Sequence, residues 1–430
     1  MNPRPTLDAL LDLDPDAVRC PYPLFEELRG EAGLHFIEET GCYAVTRYDD
    51  ILEVVRDPER FSSRMPTGPH AGGELMQRLG ALAAESPEMA QLVGTGFQRA
   101  AAGVLLSADP PDHAHQRRLV NHAFGPRRVM KMEADIRSIA HGLIDEFIGR
   151  TPPVVELVHE FAVGLPLTVI AKALGVLDRE LPLFKRWSDI AVILVGNHKP
   201  SRDQLFEYVK MQHEFADYFL VKIAERRVDP QDDLITDVVM ASEDGDVLSD
   251  QVMLAMFQQF LVAGNETTTK LITSTMLRLA QDPSLSAAVR ADRGLVEGLV
   301  EEVLRLETPV QGLYRQANVD TTIGGCPVKA GDHFWVLYAS GNRDPSRFAE
   351  PELLDPKRDN TKQHLAFSQG PHYCIGQSLA RAEGRIAVDA LLDRFTDFVV
   401  AEGNDFRYED SYVLHGLRAL DLEFVPAAGG

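Results

Sequence analysis

The sequence predicts a mainly α fold with small β-sheets, built as a single domain over residues 1–430. Three observations carry this reading. Apolar residues recur at helical spacing through most of the chain, whereas strand-like patterns are confined to short runs. At 430 residues and 45% hydrophobic, the chain can bury a large core. No Gly/Ser-rich or Pro-rich linker is long enough to divide it, and no short internal repeat is present.

Taken in order, helices are expected at residues 21–30, 112–122, 129–148, 166–174, 181–194 and 203–226, then at 250–280, 283–290, 293–307 and 376–394. Short strands are expected at 42–47 and within 321–334, where Gly324-Gly325 suits the turn of a hairpin. Several boundaries have local causes. Ser249-Asp250 offers a cap ahead of the longest helix, and Pro283 suits a first helical turn. Pro309 stops the helix before it. Residues 345–363 are polar and Pro-rich, which reads as an ordered meander. Residues 61–103 are apolar but irregular and read as a partly helical wall over a pocket.

The formal net charge of −22 disfavours nucleic acid and anionic membrane as partners. It leaves room for a local basic patch that meets an acidic protein. No window reaches the apolar length of a membrane span; the best stretch, residues 252–263, is interrupted by Gln258 and Gln259. The start, MNPRPTLDALLDLDPD, is too acidic for a signal peptide. Four scattered cysteines, Cys20, Cys42, Cys326 and Cys374, fit a reducing cytoplasm without structural disulfides.

No two of those cysteines have metal-knuckle spacing, so a zinc or iron–sulfur site is not expected. Cys374 stands apart. It lies in Phe367-Ser-Gln-Gly-Pro-His-Tyr-Cys374-Ile-Gly376, a glycine-framed loop immediately ahead of a helix. Gly370 and Gly376 allow tight turns and close backbone approach. The free N–H groups and dipole of the helix start point toward the sulfur and favour a thiolate. One such cysteine suits a single axial thiolate on a metal.

Four more motifs accompany it. In Asp109-Pro-Pro-Asp-His-Ala-His-Gln-Arg117, His113 and Arg117 share a helical face, while His115 points elsewhere. Glu302-Val-Leu-Arg305 is an i, i+3 pair able to bond along one helix. Asn342-Arg-Asp-Pro345 leads into the meander. Ala263-Gly-Asn-Glu-Thr-Thr-Thr269 puts a glycine and three β-branched polar residues inside the longest helix. These are poor helix formers, which marks a place where function overrides stability.

With these motifs in this order, the chain resembles a soluble bacterial cytochrome P450 along nearly its full length. The resemblance implies the P450 fold, a helix-rich prism around a buried haem b with Cys374 as axial thiolate. It implies that His113, Arg117, Arg315 and His372 hold the haem propionates, and that Phe367 shields the sulfur. Glu302, Arg305 and Arg358 would form a structural triad beneath the haem. Gly264 would open space for dioxygen, Thr267 would donate a hydrogen bond to it, and Glu266 would relay protons from water. Thr268 and Thr269 read as packing or capping residues. A thiolate ligand favours cleavage of the O–O bond.

The expected pocket wall takes parts of residues 85–104, with Phe260, Ala263, Val310, Leu313 and Val413-Leu414. Most of these are apolar, which suits a lipophilic substrate; Arg99 is the one arginine among them. Small Ala263 and Gly264 favour a bulky ring system, so a steroid or terpenoid fits better than a fatty acid. The expected reaction is an NAD(P)H-linked monooxygenation, one oxygen atom entering a C–H bond and the other leaving as water. Hydroxylation or epoxidation of a fatty acid or a polyketide or macrolide is the alternative within the family. No nucleotide-binding fingerprint or flavin segment is present, so a separate ferredoxin or flavodoxin and its reductase would supply electrons. Arg127, Arg128, Arg381 and Lys357 are candidates for the docking patch. Two other readings remain open. A peroxide-driven variant is disfavoured by Glu266-Thr267. A non-catalytic haem sensor or sequestering protein is permitted by Cys374 alone.

Overall fold

The computed structural model describes residues 5–30, 34–100, 103–195, 200–243 and 245–427, without the side chains of 69–74, 95–100, 243 and 246. It is dominated by helices arranged around Asp250–Gln281, whose side chains from Leu271 to Leu277 are all buried. The largest apolar cluster joins this central helix to Pro126–Asp145, Leu295–Glu307 and Gln377–Arg394. A second cluster joins its N-terminal half to Gly164–Ala173, Leu181–Val192 and Arg202–Val228.

The expected long helices are present, with ends moved by a few residues. Ser249 caps the central helix, its hydroxyl accepting from Val252 N at 3.3 Å. The helix expected from residue 129 begins earlier, at Pro126, which has no N–H and a φ suited to a first turn. Residues 61–103 are more regular than expected. After the strand Phe61–Ser62 they form two helices, Pro69–Ala83 and Pro87–Ala100, each opened by a proline. Arg99 lies among residues whose side chains are outside the described set.

Shorter elements escaped the periodicity argument. Tyr48–Arg56 is a helix of nine residues with Ile51, Val54 and Val55 turned inward. Leu234–Val239 is shorter still and is capped by Asp233. Leu7–Leu11 and Pro15–Arg19 precede the helix expected to be first.

The main sheet runs His35–Ile37, Cys42–Val45, His333–Val336, Leu313–Ala317, Phe61–Ser62. Only the Cys42–Val45/His333–Val336 pairing is parallel. A second sheet gathers Val154–Glu156, Asp421–Pro426 and Phe395–Val400 from distant parts of the chain. The hairpin Thr321–Ile323/Cys326–Val328 turns at Gly324 and Gly325, with φ of +55° and +82°. Positive φ at both central positions is what a tight hairpin requires of glycine.

Two close approaches fix the surroundings of Cys374. A Cβ at Gly298 would lie 1.9 Å from Pro356 O, so the meander presses directly onto Leu295–Glu307. A Cβ at Gly370 would lie 2.5 Å from Val55 O, so the cysteine loop is seated on Tyr48–Arg56. No described helix is long and apolar enough to cross a membrane.

Candidate active site around Cys374

Cys374 is half-buried at the end of its loop, just before Gln377–Arg394. Its N–H donates to Phe367 O at 2.9 Å, which closes the loop on itself. Ser368 and Gly370 take φ of +59° and +72° within that turn. Phe367 is buried beneath the Arg381 guanidinium, which lies 4.5 Å from the ring centroid. The sulfur receives backbone N–H groups from Gly376 and Gln377, as expected at a helix start. Burial nevertheless pushes the thiol up, against those N–H groups and the charges of Arg117 and Arg381. Local donors alone therefore do not make this a thiolate; coordination to a cationic metal would.

Gly376 departs from expectation. Its φ is −85°, open to any residue, and a Cβ there would meet no protein atom within 4 Å. Protein packing does not demand glycine at this position, which fits a cofactor lying against the loop.

His113, Arg117, Arg315 and His372 come together near Cys374. The His113 and His372 rings stack with centroids 4.0 Å apart. Burial, reinforced by Arg117, lowers His113 to about 4. Burial, reinforced by Arg315, lowers His372 to about 2. Both are neutral N–H donors at pH 7, not cations. His372 Nε2 is buried with no hydrogen-bond partner, which a buried polar atom rarely tolerates. Arg315 is 3% exposed and donates to Tyr314 O at 2.7 Å. Among the described residues, neither Arg117 nor Arg315 has a carboxylate partner. Two guanidiniums without counter-charges, an orphaned imidazole and a metal-binding sulfur fit a haem with anionic propionates.

On the central helix, Thr267 Oγ1 donates to Ala263 O at 2.7 Å, the back-bond open to any helical threonine. Its lone pairs remain available, and its O–H must rotate before it donates elsewhere. Ala263 is exposed, although the helix around it is largely buried. A Cβ at Gly264 would make only ordinary contact with Ile170, at 3.6 Å. Glu266 is not free: its Oε2 lies 3.1 Å from Lys270 Nζ. Thr268 and Thr269 are buried, as packing residues should be.

Glu302 and Arg305 are fully buried and joined by two bonds of 2.7 and 2.8 Å. Arg358 Nε at 3.0 Å, the Thr361 hydroxyl at 2.9 Å and Asp355 N at 3.1 Å also donate to Glu302. Burial alone would raise this carboxyl, but these donors hold it below the usual range. Arg305 reaches on to Asn342 O, Pro351 O and Leu353 O at 3.0, 2.6 and 3.0 Å. The pair thus ties the meander to the helix under the cysteine loop. A neighbouring network went unread: Glu301 accepts from Arg381 at 2.5 and 3.0 Å and meets His364 Nε2 at 3.2 Å. The Glu301-Glu302 doublet at a buried register was its only sequence signal.

Other expectations fare unevenly. Val413 is wholly buried beside Trp335 and Tyr412, so it belongs to the core. Phe260 is buried against Phe124, Val310 is half-buried beside Leu414, and Leu313 is half-buried. Of the four docking candidates, Arg127 and Lys357 are exposed. Arg128 is paired with Asp232 at 2.7 Å, and Arg381 is committed to Glu301. Arg381 lines a surface cleft of 370 Å³ with Met130, Glu133, Ser378 and Arg385.

The family model described as Cytochrome P450 matches residues 176–411. Cytochrome P450 107B1 of Saccharopolyspora erythraea is 35% identical over 383 residues, 89% of each chain. The solved structure of CYP109Q5 from Chondromyces apiculatus is 35% identical, with a TM-score of 0.83 over 97% of this chain and 98% of that one. CYP109E1 from Bacillus megaterium, solved in complex with testosterone, is 30% identical with a TM-score of 0.80 over 94% and 99%.

Proposed function

This chain belongs to the cytochrome P450 family of haem-thiolate monooxygenases, and from that premise we propose that it hydroxylates a lipophilic substrate of the steroid or terpenoid class. The reaction consumes substrate, O2, two electrons and two protons and yields the alcohol and water. Haem b, once bound, supplies the oxidising chemistry; the protein binds, orients and manages protons. The observation that carries the reading is the set of donors around Cys374: a sulfur with two backbone N–H groups, a His372 Nε2 without a partner and two guanidiniums that have no carboxylate partner among the described residues.

Each residue then has a task in the proposal. Cys374 would supply the thiolate that holds the haem iron, and the N–H groups of Gly376 and Gln377 would hold its charge. Arg117 and Arg315 would neutralise the propionates, with His113 and His372 as neutral donors. Glu302, Arg305 and Arg358 hold the loop from beneath. Thr267, one turn from the exposed Ala263, would lend its hydroxyl to bound dioxygen, Gly264 would leave room there, and Glu266 would restore the proton that Thr267 passes on. The apolar neighbours Phe260, Val310 and Leu313 exclude water and favour a ring system. The relative solved with testosterone lends weight to the steroid class. Electrons come from a separate ferredoxin or flavodoxin and its reductase, with Arg127 and Lys357 as the exposed cations of the docking face.

The test is a ferric absorption spectrum titrated with steroids, terpenoids and fatty acids. A saturable low-spin to high-spin shift, tightest for steroids or terpenoids, is the expected result. A haem band that responds only to fatty acids would reject the substrate class.

A further inference from the structure

One buried charge is left without a task by this mechanism. Lys270 is 2% exposed on the central helix, four residues after Glu266. Its Nζ lies 3.1 Å from Glu266 Oε2 and 3.3 Å from Glu409 Oε1. Glu before Lys at this spacing is the favoured order on a helix. Burial alone would lower the ammonium, but the two carboxylates outweigh it and hold it charged. A buried ammonium this firmly paired is costly to displace.

The lysine also has a fitted seat. A Cβ at Gly416 would lie 2.4 Å from Lys270 Cγ and 2.9 Å from its Cβ, so only glycine admits the lysine stem. Glu409 and Gly416 are the two ends of one loop, closed by Glu409 N donating to Gly416 O at 3.0 Å. Lys270 therefore grips both ends, one by charge and one by packing. The same loop is moored beside the site: Leu414 bridges Val310, and Val413 O accepts from Gln311 N at 2.7 Å. Glu409 is 30% exposed and reaches Arg418 at 3.6 Å, so the network runs from the surface to Glu266.

We infer that Lys270 is a positioning residue for proton delivery: it fixes the Glu266 carboxylate beside Thr267 and sets that position by the 409–416 loop. The inference rests on the proton-relay reading of Glu266 and Thr267. Without the cation, two carboxylates face each other with no counter-charge between them, and Glu266 is free to turn away from its place. Without Glu409, Lys270 keeps Glu266 and its packing at Gly416 but loses its charged anchor to the loop. The loop and the relay acid are then coupled through packing alone.

The test compares K270M, E409Q and T267A in the haem-loaded protein, with electrons supplied by a surrogate ferredoxin and reductase. The first readout is the share of NADPH recovered as peroxide rather than product. The second, independent of turnover, is hydrogen exchange at the amides of Glu409 and Arg418. K270M should keep the thiolate spectrum but raise the peroxide share roughly three- to ten-fold, the scale of coupling within one network. E409Q should raise it less, and both should speed exchange at the two amides. E409Q keeps the test decisive should K270M fail to load haem. Wild-type coupling in K270M and E409Q, with T267A uncoupled, would overturn the role of Lys270 and leave the relay standing. Wild-type coupling in T267A would bring down the relay reading and this inference with it.

Discussion

Replacing Glu383 by glutamine should stabilise the protein, and by an amount that grows with pH. Glu383 lies on the helix that follows Cys374, 1% exposed. Its side-chain partner is Thr268, on the central helix. Helix contact here is close: a Cβ at the adjacent Gly384 would lie 2.9 Å from Leu271 Cδ2. Burial pushes the Glu383 carboxyl up to about 8, from 4.5 in the unfolded chain. The folded value is raised, so the neutral acid's contribution is complete below pH 4.5 and is lost as pH rises toward 8. Across that window folding must take up a proton, at a cost of about 1.4 kcal/mol per pH unit. The cost reaches about 3 kcal/mol at pH 7. Glutamine has nearly the same shape, stays neutral and keeps an oxygen for the Thr268 hydroxyl. Unfolding of haem-loaded wild type and E383Q, followed by far-UV circular dichroism at pH 5, 7 and 8.5, measures the difference. Near equality at pH 5 and a gain of about 3 kcal/mol at pH 7 are expected. A difference that does not change with pH would refute the claim that Glu383 is buried and neutral.

Three further perturbations bear on the site. Cys374→Ala should abolish the thiolate signature in the absorption spectrum of the ferrous carbon monoxide complex; its persistence would reassign the ligand. Thr267→Ala should retain haem and substrate-induced spin shift while diverting NADPH to peroxide several-fold, and unchanged coupling would remove Thr267 from proton transfer. Glu302→Gln removes the carboxylate shared by Arg305 and Arg358, leaving each to its backbone carbonyls, and should cost about 3–5 kcal/mol. It should appear as poor haem loading and a lowered midpoint in thermal unfolding; wild-type haem content and stability would show that the triad is dispensable.

The division between what the sequence determined and what the tertiary structure decided follows the range of the interactions. Helices of three or more turns repeat their apolar period often enough to be read locally, so Asp250–Gln281 and Arg202–Val228 were legible. So was the Gly324-Gly325 hairpin, because positive φ is a property of two adjacent residues. The cysteine loop and the Glu302–Arg305 pair were legible for the same reason: their spacing is short and their residue types are demanding. The sheet of Val154–Glu156, Phe395–Val400 and Asp421–Pro426 was not, since its three short strands find one another only in the folded chain. Nor did spacing reveal that Arg381 is committed to Glu301, that His113 and His372 are stacked and neutral, or that Lys270 pairs with the acid expected to relay protons. A residue's type announces which charge it can carry. Whether that charge survives, and whom it faces, depends on burial and on partners brought from elsewhere in the chain, and these exist only once the chain is folded.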